Sequence, residues 1–157
     1  MKQIITPFLL VIFLVSCGGA TKSTFKKKPK SKADKVISNA QAFDGTRYKY
    51  GGTTNKGMDC SGLVYVAFQK EDITLPRISR DMAKEGTRIK DSQIQKGDLL
   101  FFKTNKKSNR INHVGLVTKS SKGEIYFIHS TSSKGVLTSN LNERYWKNAY
   151  VSARRVL

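Results

Sequence analysis

Met58-Asp59-Cys60-Ser61-Gly62-Leu63-Val64 is the stretch on which the fold turns. A polar Asp-Cys-Ser triplet runs into apolar residues, and Leu63 to Gln69 reads as a mostly buried helix with Cys60 at its start. Unpaired backbone N–H groups and the positive end of the dipole favour an anion there. Upstream, Tyr48-Lys49-Tyr50-Gly51-Gly52 opens a glycine-rich loop, and a helix is predicted over 34–43 with Val36, Ile37, Ala40 and Phe43 on one face. Downstream, Ile78 to Glu85 suits another short helix that Gly86 stops. Beyond it the pattern changes. Asp98 to Lys103, His113 to Lys119 and Gly123 to His129 read as strands, and Ser120-Ser121-Lys122-Gly123 turns between the last two. Leu141 to Lys147 reads as a helical turn and Ala149 to Val156 as a closing strand. Helices first and antiparallel strands second make an α+β domain, one layer of each.

The chain of 157 residues suits one such domain with a short appendage. Its apolar fraction of 38% is enough for a packed core, which excludes wholesale disorder, and two cysteines exclude a disulfide-dense scaffold. The net charge of +18, from 29 Lys+Arg against 11 Asp+Glu, asks for an anionic partner.

The amino end says which anions the chain meets. Lys2 followed by the apolar stretch Ile4 to Val15 reads as a secretory signal too short to span a bilayer comfortably. Leu14-Val15-Ser16-Cys17 resembles the bacterial lipobox, which implies cleavage before Cys17 and acylation of its thiol. Several acyl chains would hold the protein on a membrane essentially permanently. Residues 18–35 are mostly Gly, Ser, Thr and Lys, with seven lysines against the single Asp34, and read as a flexible tether. The expected organisation is a signal over 1–16, a lipidated Cys17 with its tether over 17–35, and a folded domain over 36–157. Gly18 and Gly19 are not acidic, so no inner-membrane retention signal is visible. The expected location is the cell envelope, on the outer membrane facing the periplasm. A secreted chain rarely meets nucleic acid, so the positive charge suits the carboxylate-rich cell wall instead.

With Cys17 assigned to lipidation, Cys60, His113 and His129 are the remaining cysteine and histidines. His113 opens one predicted strand and His129 closes the next, so an antiparallel hairpin can bring the two rings together. One ring could serve as base for Cys60 while the other orients it. A helix start and a neighbouring imidazolium would lower the thiol from a pKa of about 8.5 towards one that ionises at neutral pH. Two alternatives remain open on the residues alone. One is an unreactive buried cysteine with two surface histidines. The other is zinc, although a structural zinc site normally has four ligands and a catalytic one would consume the thiolate.

Tyr48-Lys49-Tyr50-Gly51-Gly52, Met58 to Val64, Lys96-Gly97-Asp98-Leu99-Leu100-Phe101-Phe102, His113-Val114-Gly115-Leu116 and Phe127-Ile128-His129-Ser130 stand in the order seen in the NlpC/P60 cell-wall cysteine peptidases, which the chain resembles from about residue 36 to its end. The resemblance implies a papain-like fold, with Cys60 as nucleophile, His113 as general base and acid, and His129 as the third polar residue. It implies that Tyr48 lines the site and helps hold substrate or the oxyanion, with the backbone of Cys60 and Ser61. It implies no metal and no organic cofactor. Asp59 is expected to cap the helix or form a salt bridge, and Asp98 to fix a turn. Arg47, Arg77 and Arg80 flank the motifs, either as partners for substrate carboxylates or as a solvated basic face.

The implied substrate is the peptidoglycan stem peptide. The tail from Ser130 through Tyr145-Trp146 to Leu157 looks most like the family's lipid-anchored endopeptidases that cut the D-alanyl to meso-diaminopimelate cross-link. Other family members cut the γ-D-glutamyl to diaminopimelate bond. A non-catalytic wall-binding lipoprotein is the reading from another class. No adaptor or regulatory protease is legible.

Overall fold

The computed structural model describes residues 30–105 and 107–157, so the expected signal, Cys17 and most of the tether lie outside the described residues. Helix α1 (Lys32–Gln41) begins two residues before the predicted start, inside the stretch read as tether. Ser31 Oγ accepts from the Asp34 N–H at 3.1 Å, and the Asp34 carboxylate accepts from the Ser31 N–H at 3.4 Å. This reciprocal cap starts a helix within a lysine-rich run whose composition hides it.

Strands β1 (Thr53–Thr54) and β2 (Gly57–Met58) form a small ribbon leading into α2 (Cys60–Gln69). α2 begins at Cys60, ahead of the apolar run from Leu63, because the Asp59 carboxylate caps it by accepting from the Gly62 N–H at 2.6 Å. Residue 62 has to be glycine, since a Cβ there would collide with the Gly52 carbonyl. α3 (Ser79–Met82) is a single turn, shorter than the predicted 78–85.

The sheet then forms from β3 (Thr87–Ile89), β4 (Leu99–Phe102), β5 (His113–Ser121), β6 (Glu124–Thr131), β7 (Gly135–Asn140) and, after α4 (Arg144–Ala149), β8 (Tyr150–Arg155). Its order is β3-β8-β4-β5-β6-β7, antiparallel throughout. β3 and β7 are absent from the sequence reading and lie at the two edges. Both are short and partly polar, so neither shows a clean alternation.

The expected single layer of helices is incomplete. Every residue of β4 is buried. Leu99 and Phe101 pack with α1 and α2, while Leu100 and Phe102 face the other way onto Trp146 and Ala149 of α4. A strand buried on both faces loses its alternation. Helices α1 and α2 cover one face of the sheet, and the short α4 covers part of the other. The alternation continues along the neighbours: Val114, Leu116 and Ile128 join the first cluster, which places His113 and His129 on the Trp146 face. Asp98 holds its turn by accepting from the Gln95 N–H at 2.9 Å, and Arg155 of β8 donates to both its oxygens at 2.8 Å.

Candidate active site

Cys60 is the first residue of α2 and is 9% exposed. The backbone N–H groups of Val114, Ser61 and Cys60 itself pull the pKa of its thiol down. Burial nevertheless pushes the thiol up from its ordinary value, against the pull of those donors. This corrects the expectation of a lowered pKa. A helix start stabilises a thiolate only partially when water is excluded, and the expected imidazolium is not there.

Asp59 anchors this side. Its carboxylate accepts from the N–H groups of Gly51 and Gly62, at 2.8 and 2.6 Å, and from both terminal nitrogens of Arg77, at 2.9 and 2.8 Å. Burial alone would raise its pKa, but Arg77 and the two N–H donors hold it below the usual carboxylate range. Asp59 is therefore both cap and salt-bridge partner. Arg77 also donates to Ser61 Oγ at 3.0 Å and to the Gly52 carbonyl at 3.2 Å, so its guanidinium is consumed internally rather than offered to substrate. The Ser61 hydroxyl is likewise engaged by Asp59 and Arg77. Arg47 donates to the Lys56 carbonyl, and of the three flanking arginines Arg80 lines the groove without such a bond.

The imidazoles occupy a different environment. His113 Nε2 lies 3.0 Å from His129 Nδ1, and His129 Nε2 lies 2.9 Å from Ser139 Oγ. Trp146 stacks on His113 at 5.2 Å and meets His129 edge-on at 4.5 Å, with Phe127 packed against His129 at 4.7 Å. Burial pulls His113 down to about 4, and burial together with His113 pulls His129 down to about 3. Both rings are neutral at pH 7. Because Nε2 of His113 is taken by His129, Nδ1 is the nitrogen left open. Both nitrogens of His129 are engaged, so it has no lone pair free for zinc. Among the described residues, no group of three or more His, Cys, Asp or Glu side chains is arranged to hold a metal.

Tyr48 bridges to Met58 through the backbone, beside the nucleophile. Burial, with the nearby Cys60 and Asp59 charges, raises its pKa and keeps the phenol a donor. Two cavities, of about 540 and 210 Å³, share Tyr48, Cys60 and Asn112. The larger runs past Tyr50, Ile78 and Arg80, and the smaller past His113, Thr104, Ser132 and Tyr145. Cys60 thus lies where two lobes of one groove meet.

All the residues singled out in the sequence between 47 and 129 gather here, apart from Arg47 and Asp98, which serve the scaffold. The sequence reading missed Trp146, Asn112 and Ser139 as parts of the site. Trp146 is the chain's only tryptophan, which is the one signal that was available.

The NlpC/P60 family model matches residues 45–155. The chain belongs to that family. It is similar to "Probable endopeptidase NlpC" of Escherichia coli, 41% identical over 74% of this chain and 73% of that protein. It is similar to "Murein DD-endopeptidase MepS/Murein LD-carboxypeptidase" of Escherichia coli, 38% identical over 73% of this chain and 58% of that protein. A Bacillus subtilis "Gamma-DL-glutamyl hydrolase" is 36% identical over 99% of this chain and 37% of its own length. The chain thus spans from little more than a third to about three quarters of these relatives. A solved NlpC/P60 family protein of Bacillus cereus superposes with a TM-score of 0.73 at 32% identity, over 82% of this chain and 41% of that one. Similar identities to proteins of different names fix the family without choosing a member. The α+β NlpC/P60 fold and its cysteine-type hydrolase site stand on these matches together.

Proposed function

We propose that this NlpC/P60 protein is a cell-envelope cysteine endopeptidase that cuts the D-alanyl to meso-diaminopimelate cross-link of peptidoglycan, held at the membrane by acyl chains on Cys17. The observation that carries the hydrolytic reading is the placement of Cys60 at the junction of the two groove lobes, with the neutral His113–His129 pair beside it. The cross-link is favoured by the likeness to MepS. Arg80 in the larger lobe suits the carboxylates of a stem peptide.

As Cys60 sulfur bonds to the amide carbonyl carbon, its proton passes to Nδ1 of His113. The backbone N–H groups of Cys60 and Ser61, with the Tyr48 hydroxyl, hold the developing oxyanion. The C–N bond then breaks and His113 gives that proton to the leaving amine. Water loses a proton to His113 and attacks the thioester, which releases the acid and restores the thiol. His129 keeps the His113 ring in the orientation this cycle needs. With both partners neutral at rest, the proton moves as substrate is attacked.

The test is the chain starting after Cys17, incubated with purified peptidoglycan beside Cys60→Ala, with muropeptides identified by mass spectrometry. Conversion of cross-linked dimers to tetrapeptide monomers by wild type alone is the expected result. The gamma-DL-glutamyl hydrolase likeness along nearly the whole chain favours a second reading. Dipeptide stubs would choose it. No release by folded protein would favour wall binding without catalysis. Loss of palmitate labelling in Cys17→Ser tests the anchor.

A further inference from the structure

Three buried groups form one line, His113, His129 and Ser139, with 3.0 Å between the two rings and 2.9 Å from His129 Nε2 to Ser139 Oγ, and His113 lines the same cavity as Cys60. The rings cannot look elsewhere for partners. Trp146 lies against both and Phe127 against His129, and no buried side-chain nitrogen or oxygen among the described residues lacks a hydrogen bond.

Such a line has two polarities. In the first, His113 Nε2–H donates to His129 Nδ1, His129 Nε2–H donates to Ser139 Oγ, and His113 Nδ1 is bare. In the second, every proton shifts one place: Ser139 O–H donates to His129 Nε2, His129 Nδ1–H donates to His113 Nε2, and His113 Nδ1 carries hydrogen. Only the first can accept a proton from Cys60. An aspartate at the end of the line would enforce it by charge, whereas here the last group is an uncharged hydroxyl.

We propose that Ser139 is a positioning residue of the catalytic line, which by accepting from His129 Nε2–H selects the tautomers that leave His113 Nδ1 free to act as the base. Without the hydroxyl, His129 Nε2–H faces a dry apolar wall with no acceptor, and the line relaxes to the second polarity. Ser139 stands on the edge strand β7, directly opposite Phe127 in the register with β6, so its hydroxyl is fixed by the sheet rather than by a loop. The kinetic consequence rests on the proposed role of Cys60. The tautomer consequence does not.

The experiment is a long-range ¹⁵N–¹H correlation spectrum of histidine-labelled full-length protein in detergent at pH 7, before any substrate is added. The expected result is His129 and His113 both protonated at Nε2 and bare at Nδ1. Hydrogen on His129 Nδ1 in wild type would overturn the proposal, whatever the outcome of the peptidoglycan assay. Ser139→Ala is expected to shift the spectrum to the second pattern and to lower kcat about 10–100-fold at unchanged KM, the size of one lost buried hydrogen bond. Ser139→Thr keeps a hydroxyl and should restore both. Wild-type kcat and an unchanged spectrum in Ser139→Ala, or failure of Ser139→Thr to restore them, would also overturn it. If Ser139→Ala does not fold, the wild-type spectrum decides alone.

Discussion

The Cys60 side of the groove and the imidazole side are held with opposite materials. Around Cys60 the scaffold is ionic: Asp59 and Arg77 form a bidentate pair that ties the helix start to the Gly51–Gly52 loop. Around His113 and His129 it is aromatic, with Phe127 and Trp146 against the rings and, among the described residues, no carboxylate bonded to either imidazole. The charged clamp can hold a backbone in place beside solvent. The aromatic box holds two bases in their neutral form, which charge next to them would disturb. A nucleophile needs its helix start fixed, and a general base needs its lone pair kept free.

Removing the base should show the largest effect. His113→Ala is expected to lower kcat/KM for peptidoglycan about a thousandfold or more while the protein stays folded, measured by muropeptide release. Trp146→Ala should break the aromatic side, costing about 3–4 kcal/mol in urea unfolding as a large buried ring is lost. It should also raise the pKa of both histidines towards 6.5 as water enters, read by NMR titration. If stability falls but the histidines do not move, the aromatic box is packing only.

Acid should test the same side without mutation. Unfolded histidines take up a proton near pH 6.5, whereas His113 in the fold waits until about 4. The stability this contributes is fully present above pH 6.5 and is lost as pH falls towards 4, by on the order of 3 kcal/mol for His113, with His129 acting in the same direction. Urea unfolding from pH 7 down to pH 4 checks it, and His113→Asn should flatten the slope.

On the ionic side, Asp59→Ala should cost about 2–3 kcal/mol, because it removes a helix cap and strands a guanidinium that is one-third exposed. Asp59→Asn keeps cap acceptors and should cost less. The smallest effect concerns the thiol: with its pKa raised by burial, Cys60 in the free protein should react with iodoacetamide at pH 7 more slowly than a cysteine peptide. Faster reaction would mean that the helix start outweighs desolvation after all.

The helix over Val36 to Ala40 and the strands carrying the two histidines were legible because each rests on local pattern, whereas Cys60, His113 and His129 were grouped by the order of motifs shared with the family. Asp-Cys-Ser before an apolar run is a helix start wherever it occurs, and strands opening and closing on histidine in a hairpin must bring them near. β3 and β7 were not legible, since short edge strands owe their conformation to a neighbour's backbone. The beginning of α1 was hidden because its capping box sits in a basic stretch.

The sequence by itself determined the fold class and its principal helices and strands, and its resemblance to the family singled out the trio of Cys60, His113 and His129, because periodicity, spacing and motif order are properties of the chain. Only the tertiary structure decided the protonation of that trio, the pairing of Arg77 with Asp59 and the place of Ser139. Those depend on which groups exclude water from which, and desolvation is set by neighbours far away in the chain. Ser139 lies ten residues beyond His129, yet the sheet brings them to 2.9 Å.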